Sequence, residues 1–249
     1  DYVVTGHYAI NEYDEEKGRW ILRKATDDTK DQSYVLYSLT QDQLSRILFP
    51  LGRMTKHEAR EIAEAQGFVN ADKHDSQDIC FVPDGDYAHF IENWCGFRFN
   101  EGNFVDRDGN FIAKHKGIIN YTIGQRKGLG LSGGPWYVVK KNVADNTIYV
   151  SRGYDTDKQY GKTLHLDEMH FISGNPWEGQ TEPVDIMFKN RHTPVFMKAR
   201  FVPLGGREYV IESEEKVRGI APGQFAVVYD ATGHLCYGSG IITGQKVVI

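Results

Sequence analysis

Between Val184 and Phe201 the chain repeats every second residue. Val184, Ile186 and Phe188 alternate with Asp185, Met187 and Lys189, and Val195, Met197, Ala199 and Phe201 keep the same spacing. Neighbouring side chains of a strand point to opposite faces, so the pattern fits strands with one buried face and does not fit a helix. Further strands are expected near 207–212, 224–229 and 235–243. Asn190-Arg191-His192-Thr193-Pro194 joins two of them, and Ala221-Pro222-Gly223-Gln224 makes a tight loop. About six short strands with turn punctuation over residues 161–249 predict a small closed or nearly closed β-barrel.

Upstream the composition changes twice. Over 96–160 short strands alternate with turns at Asp106–Asn110 and Ala144–Asn146, which predicts a small, mainly β central domain. It contains INYTIGQRKGLGLSGGPWYVVKK, residues 119–141. The glycines there allow close backbone approach, and Arg126 and Lys127 add charge. The spacing is not that of a Walker loop, and a phosphodiester backbone suits the stretch better than a nucleoside triphosphate.

Residues 1–95 read as α/β. Asp1–Thr5 is expected to end a buried strand just before Gly6 and His7, where an open α/β sheet places its ligands. A hairpin is expected from Tyr8–Asn11 and Trp20–Lys24. Thr40–Gln43 and Thr55–Glu58 are capping boxes that start helices, the second ending at Gly67 with Ala59, Ile62 and Ala63 inward. A third helix is expected to open at Asp84 and to bury Tyr87, Phe90, Ile91 and Trp94. Asp31 reads equally as the cap of a short helix.

The net charge of −5 conceals a basic island. Residues 102–162 carry 10 basic and 5 acidic residues, between flanks that are both acidic. Such an excess is either a footprint for a polyanion or a solvated face. No apolar run reaches the ~18 residues that span a bilayer. Cys80, Cys95 and Cys236 are far apart and contain no CxxC pair, which argues for a reducing compartment and against a zinc site. The opening DYVVTGHYA lacks an initiator Met and starts inside an apolar strand, so the chain is expected to be a fragment.

Cys80 lies in HDSQDICFV, where a polar run meets the apolar segment Ile79–Val82. It reads as a small core hydrophobe or as a reactive group at a strand–loop junction. The carboxylates of Asp75 and Asp78 oppose a thiolate, so activation is not legible locally.

GHYA (6–9), KDQSY (30–34), LFPLG (48–52), DSQDICF (75–81), YTIGQRKGLG (121–130), PWYVVKK (135–141) and APGQ (221–224) occur in an order that resembles the bacterial tRNA-specific 2-thiouridylase family. The likeness covers essentially the whole chain. It implies an enzyme that adenylates carbon 2 of the wobble uridine of tRNA with ATP and magnesium, then introduces sulfur from a cysteine persulfide. It implies the rear part of a PP-loop α/β catalytic domain over 1–95, a tRNA-binding central domain over 96–160 and a C-terminal barrel over 161–249. Cys80 matches the persulfide-bearing cysteine and Gly6 a nucleotide-contacting position. His7, Lys30, Asp31, Gln32, Arg191, His192 and Gln224 match tRNA-contacting positions, with tyrosine common in the family where His192 stands. Arg126 and Lys127 join them through the basic island. The resemblance also implies a persulfide donor protein, either a cysteine desulfurase or a sulfur relay protein, and a cytoplasmic location. It implies disulfide chemistry between Cys80 and a second cysteine. That cysteine and the SGGVDS-type pyrophosphate loop are expected upstream of Asp1, leaving the fragment inactive alone. Two rivals stay open, a non-catalytic RNA-binding module and a PP-loop ligase for another substrate.

Overall fold

The computed structural model describes residues 1–69, 71, 82, 86–96, 98–152 and 160–243. Cys80 and its motif, and Asp84, lie outside the described residues. The chain forms two compact units, Asp1–Lys73 together with Gly161–Ile249, and His74–Tyr160.

In the first unit β1 (Val3–Val4) pairs in parallel with a later strand, β4 (Ile47–Leu48). The expected buried strand is instead open, Val3 being 58% exposed, because β4 is the only strand paired with it among the described residues. Next, β2 (Ala9–Asp14) and β3 (Arg19–Lys24) form the expected hairpin, in register from Ala9 opposite Lys24 to Asp14 opposite Arg19. Both capping boxes are present. Thr40 opens the short helix α1 (Gln41–Leu44), and Thr55 opens α2 (Lys56–Ala65), with Glu58 reaching back to Thr55 N–H at 2.7 Å. Gly67 follows α2 with φ +68°, the left-handed conformation that ends helices. The expected inner face of α2 is not inside, since Ile62 is 52% exposed and no residue of α2 is buried.

The second unit holds α3 (Tyr87–Cys95), capped by Asp86, whose carboxylate accepts from His89 N–H at 3.0 Å. Its aromatic stripe was expected in the core, yet Trp94 is 82% exposed. Amphipathic spacing shows that a helix has an apolar side, not that anything covers it. Beyond it β5 (Gly102–Val105), β6 (Phe111–His115), β7 (Trp136–Asn142) and β8 (Thr147–Arg152) form a sheet in the order β6-β5-β8-β7, with only β5 and β8 parallel. Phe104, Tyr121, Leu129, Val138, Ile148 and Val150 make its core. His115, the last residue of β6, is buried. Its Nδ1 accepts from Gly117 N–H at 3.1 Å, so Nε2 carries the proton toward Asn146 O, also at 3.1 Å.

The chain then returns to the first unit. The remaining strands are β9 (Tyr160–Phe171), β10 (Val184–Lys189), β11 (Met197–Gly205), β12 (Glu208–Arg218), β13 (Phe225–Tyr229) and β14 (Leu235–Thr243). They close in the order β13-β10-β11-β12-β9-β14, and β13 pairs with β14 to complete a six-stranded barrel as expected. Ile186, Phe188, Ala199, Phe201, Ile211 and Val228 fill it. Val195 precedes β11 and is exposed, so the alternation starts one step later than expected.

The barrel's outer face is also covered along one side. The β2–β3 hairpin joins the sheet at β14, Leu235 opposite Arg23 and Cys236 opposite Leu22. Beneath it Ala9, Leu22, Leu36, Leu44 and Phe49 pack on Ile172, Val227, Tyr229 and Cys236. Each large apolar side chain buried here contributes roughly 1.5–3 kcal/mol. Gln41 clamps the layers, donating from Nε2 to Trp20 O at 2.7 Å and to Ile172 O at 2.8 Å, and accepting from Trp20 N–H at 2.9 Å.

Two outcomes follow from this packing. A Cβ at Gly52 would collide with the Ala9 carbonyl, a backbone group that cannot swing away. Gly52→Ala should therefore destabilise the first unit by about 1–3 kcal/mol in denaturant titration. In the second unit burial pushes the His115 imidazole below its ordinary 6.5, with Lys114 and Lys141 opposing the charged form further and the Asn146 carbonyl favouring it. The unfolded chain then takes up the proton first, so stability is complete above about pH 6.5 and is lost as pH falls. Unfolding followed at Trp136 at about pH 7.5 and about pH 5.5 should show this loss, at most about 1.4 kcal/mol per pH unit, and His115→Gln should remove that component.

Candidate tRNA-recognition site

The loop from Ala25 to Tyr34 is tied down on every side within the first unit. Asp27 accepts from Thr29 N–H and hydroxyl and from Lys56 N–H, the first helical residue of α2. Those bonds, the Thr29 hydroxyl foremost, hold its carboxyl below the usual range. Thr26 N–H donates to Gly52 O at 2.9 Å, which brings LFPLG against the loop. Gln32 exchanges two bonds with Tyr8. Gln32 N–H donates to Tyr8 O at 2.8 Å, and Tyr8 N–H donates to Gln32 Oε1 at 3.0 Å. GHYA and KDQSY, 24 residues apart, are thereby joined.

Asp31 faces inward. Its Oδ1 accepts from Ala25 N–H at 3.2 Å and from Ser33 N–H at 3.1 Å, and its Oδ2 from the Ser33 hydroxyl at 2.9 Å. It does not cap the 3₁₀ turn Ser33–Leu36 as an N-cap, a place taken by Gln32 without a side-chain bond. The barrel lies directly against this knot. Lys189 Nζ is 3.5 Å from Asp31 Oδ2, and Ser33 Oγ is 3.1 Å from the Tyr229 hydroxyl. Tyr37 stacks on Phe225 at 4.6 Å, and the Tyr34 ring lies 6.2 Å from that of His192.

Five motifs distant in sequence thus meet in one unit: GHYA, KDQSY, LFPLG, the Arg191-His192 loop and APGQ. His7 is half-buried, with Nδ1 2.6 Å from Thr5 Oγ1, and Gly6 beside it is exposed. Among the described residues only Leu51 Cδ1, at 3.8 Å, lies near the place of a Cβ on Gly6. Lys30 is half-buried, and Arg191 and His192 are exposed. Gln224 sits in the turn closed by its own N–H donating to Ala221 O at 3.2 Å, with Gly223 at φ +85°. Its buried Oε1 has no partner among the described residues.

Arg126 and Lys127 belong to the second unit, where both are exposed. Arg126 lies over the Tyr137 ring at 6.0 Å, and Arg152 over Trp136 at 4.9 Å. An open groove of about 410 Å³ runs between Arg126, the Gly128–Leu131 turn and Gly134–Trp136. Two guanidinium groups placed over aromatic rings suit phosphate and base contacts.

Three features escaped the sequence reading. Lys189 occupies a place that the alternation gives to the polar face, and its burial has no local signal. Arg152 and Trp136 lie 16 residues apart and meet only because Trp136 is paired opposite Arg152 across β7 and β8. Cys95 is an exposed free thiol, and burial pushes the Cys236 thiol up to about 12, which leaves it inert. No disulfide occurs among the described residues, so the expected disulfide chemistry of Cys80 finds no support there. No helix among the described residues is long and apolar enough to cross a membrane.

Comparison with known proteins agrees with this layout. Three family models match in succession: the tRNA methyl transferase HUP domain over 1–84, the tRNA methyl transferase PRC-barrel domain over 88–152, and the aminomethyltransferase β-barrel domain over 161–242. The tRNA-specific 2-thiouridylase MnmA of Porphyromonas gingivalis is 46% identical over 248 residues, covering 98% of this chain and 67% of the relative. The corresponding MnmA 1 of Bacteroides thetaiotaomicron is 44% identical over 244 residues, 98% of this chain and 68% of its own length. That of Parabacteroides distasonis is 46% identical over 249 residues, with 98% and 67% covered. With the motif order, the barrel and these relatives in agreement, the chain belongs to the tRNA-specific 2-thiouridylase family.

Proposed function

We propose that this chain acts in the conversion of the wobble uridine of tRNA to 2-thiouridine, as a tRNA-uridine 2-sulfurtransferase of the PP-loop class. In this reading ATP is a co-substrate, bringing magnesium on its phosphates. The uracil oxygen at carbon 2 attacks the α-phosphorus, pyrophosphate leaves, and the oxygen later departs with AMP. Sulfur comes from a persulfide on Cys80, loaded by a cysteine desulfurase or a sulfur relay protein: its outer sulfur attacks carbon 2 as AMP leaves, and a second thiol then breaks the S–S bond, supplying the two electrons and ending bonded to the Cys80 sulfur. Gly6 stands near the nucleotide, but residues 1–249 contain no pyrophosphate loop to cradle the phosphates. The work is cytoplasmic, where tRNA is modified and thiols stay reduced.

The observation that carries the reading is the meeting of the five motifs around the Lys30–Tyr34 loop. A base-modifying enzyme must take its base out of the stack and read its edge. His7, Lys30 and Gln32 line that loop, and Arg191, His192 and Gln224 approach it from the barrel. Because Gln32 Oε1 already accepts from Tyr8 N–H, the amide recognises uracil through its Nε2 hydrogens, as a donor to a carbonyl oxygen. Asp31, enclosed and fully engaged, serves the tRNA by shaping the loop and not by direct contact. In the second unit Arg126 and Lys127 hold the tRNA body through phosphates.

In full-length enzyme supplied with a sulfur donor, Cys80→Ser should abolish 2-thiouridine while tRNA affinity stays nearly unchanged. Mass spectrometry should place the added sulfur on the Cys80 peptide and not on those of Cys95 or Cys236. Thiolation by Cys80→Ser would refute the role of Cys80. Replacing Arg126 and Lys127 together by Ala should weaken tRNA binding and flatten its logarithmic salt dependence by roughly 1.5–2. An unchanged slope would remove both from the interface.

A further inference from the structure

Lys189 ends β10, and its side chain is 2% exposed. An ammonium deprived of water is costly, and burial lowers the Lys189 pKa even with Asp31 opposing the shift. Its compensations are two. The Asp31 carboxylate, itself 1% exposed, lies at 3.5 Å, and the Phe196 ring centroid lies at 3.9 Å. Lys24 approaches the same ring at 5.5 Å and is neutralised by Asp28 at 2.9 Å. A buried ion pair is seldom more stable than apolar residues of the same volume, so stability alone gives no reason for this arrangement. Geometry does. Asp31 bends the chain by accepting from Ala25 N–H, Ser33 N–H and the Ser33 hydroxyl, and it can do so inside the protein only while a cation balances it. Between Asp31 and Ser33 stands Gln32, tied to Tyr8 in turn.

We propose that Lys189 is a positioning residue for base recognition: acting through Asp31, it holds the Lys30–Tyr34 loop so that Gln32 meets the uracil edge. The barrel is then the mould of the recognition loop. This rests on the thiolation reading for its consequence, although the anchoring itself can be measured without it. A carboxylate left without its counter-charge turns toward water, releases the N–H groups of Ala25 and Ser33, and displaces Gln32. A displacement of about 1 Å at a reacting centre costs roughly a hundredfold in rate.

The test uses Lys189→Met, Asp31→Asn and the double variant in full-length enzyme, each checked for folding. Amide hydrogen exchange reads the loop, and steady-state thiolation reads kcat and KM for tRNA. Lys189→Met should speed exchange at Ala25 and Ser33 by at least about tenfold, with the barrel core unchanged. It should lower kcat roughly a hundredfold with KM within about threefold. The double variant, which leaves no unpaired buried charge, should lose no more than the worse single variant, since the two residues act as one unit. It carries the same test where Lys189→Met does not fold. Unchanged exchange and kcat in folded Lys189→Met would overturn the proposal. So would losses that multiply in the double variant, or a salt dependence of tRNA binding flattened by about one, which marks a phosphate contact by Lys189 itself. Faster exchange in Lys189→Met, together with a wild-type enzyme that thiolates no tRNA, would retire the enzymatic reading and leave the anchoring in place.

Discussion

The first unit depends on a short ladder between a hairpin and a barrel that are about 200 residues apart in the chain. Leu22 opposite Cys236 and Arg23 opposite Leu235 are its only registered pairs among the described residues, yet they decide which face of the barrel is covered. Once β3 lies along β14, Leu22, Leu36, Leu44 and Phe49 have Val227, Tyr229 and Cys236 to pack on. The outer side of β13 and β14 then becomes a second core. That explains why Phe225–Tyr229 is apolar without alternation, since a strand buried on both faces has no polar side to show.

A core with two layers of different origin also creates a place where polar groups can be trapped. Asp31, Ser33, Lys189 and Tyr229 meet there, shielded by the Phe196 ring. Such a knot must satisfy its members mutually, because an unpaired charge at low dielectric costs far more than the pair returns. The consequence is a loop with few conformations open to it. His7, Lys30 and Gln32, drawn from a turn and a loop with no regular structure of their own, inherit the rigidity of the barrel. Binding residues are often carried on loops, and here the barrel reaches into the Lys30–Tyr34 loop through the Lys189 side chain.

Much of the local structure was legible in the chain. The β2–β3 hairpin, both capping boxes, the Gly67 helix end, the turn at Asp106–Asn110 and five of the six barrel strands occur where periodicity and turn chemistry put them, because each depends on interactions a few residues long, whereas β9 was not located. The misreadings share one cause. Val3, Ile62 and Trp94 are apolar at the right spacing, but spacing reports the existence of a face and is silent about its neighbour. Lys189 errs in the opposite direction, a charged residue on a presumed polar face that another segment covers.

What the sequence determined by itself was the class of each segment and, through motifs in a particular order, the family. These are properties of local pattern and of residue identity, and they need no knowledge of distant contacts. Only the tertiary structure decided that Asp31 turns inward, that Gln32 spends its carbonyl oxygen on Tyr8, and that Trp136 and Arg152 stack across a sheet. Each of those outcomes is set by which backbone or charge lies opposite, fixed for Asp31 and Gln32 by the closure of the barrel and the docking of the hairpin, and for Trp136 and Arg152 by the register of β7 on β8. Long-range pairing chose the partners of Lys189, Gln32 and Tyr229, and a linear pattern does not contain it.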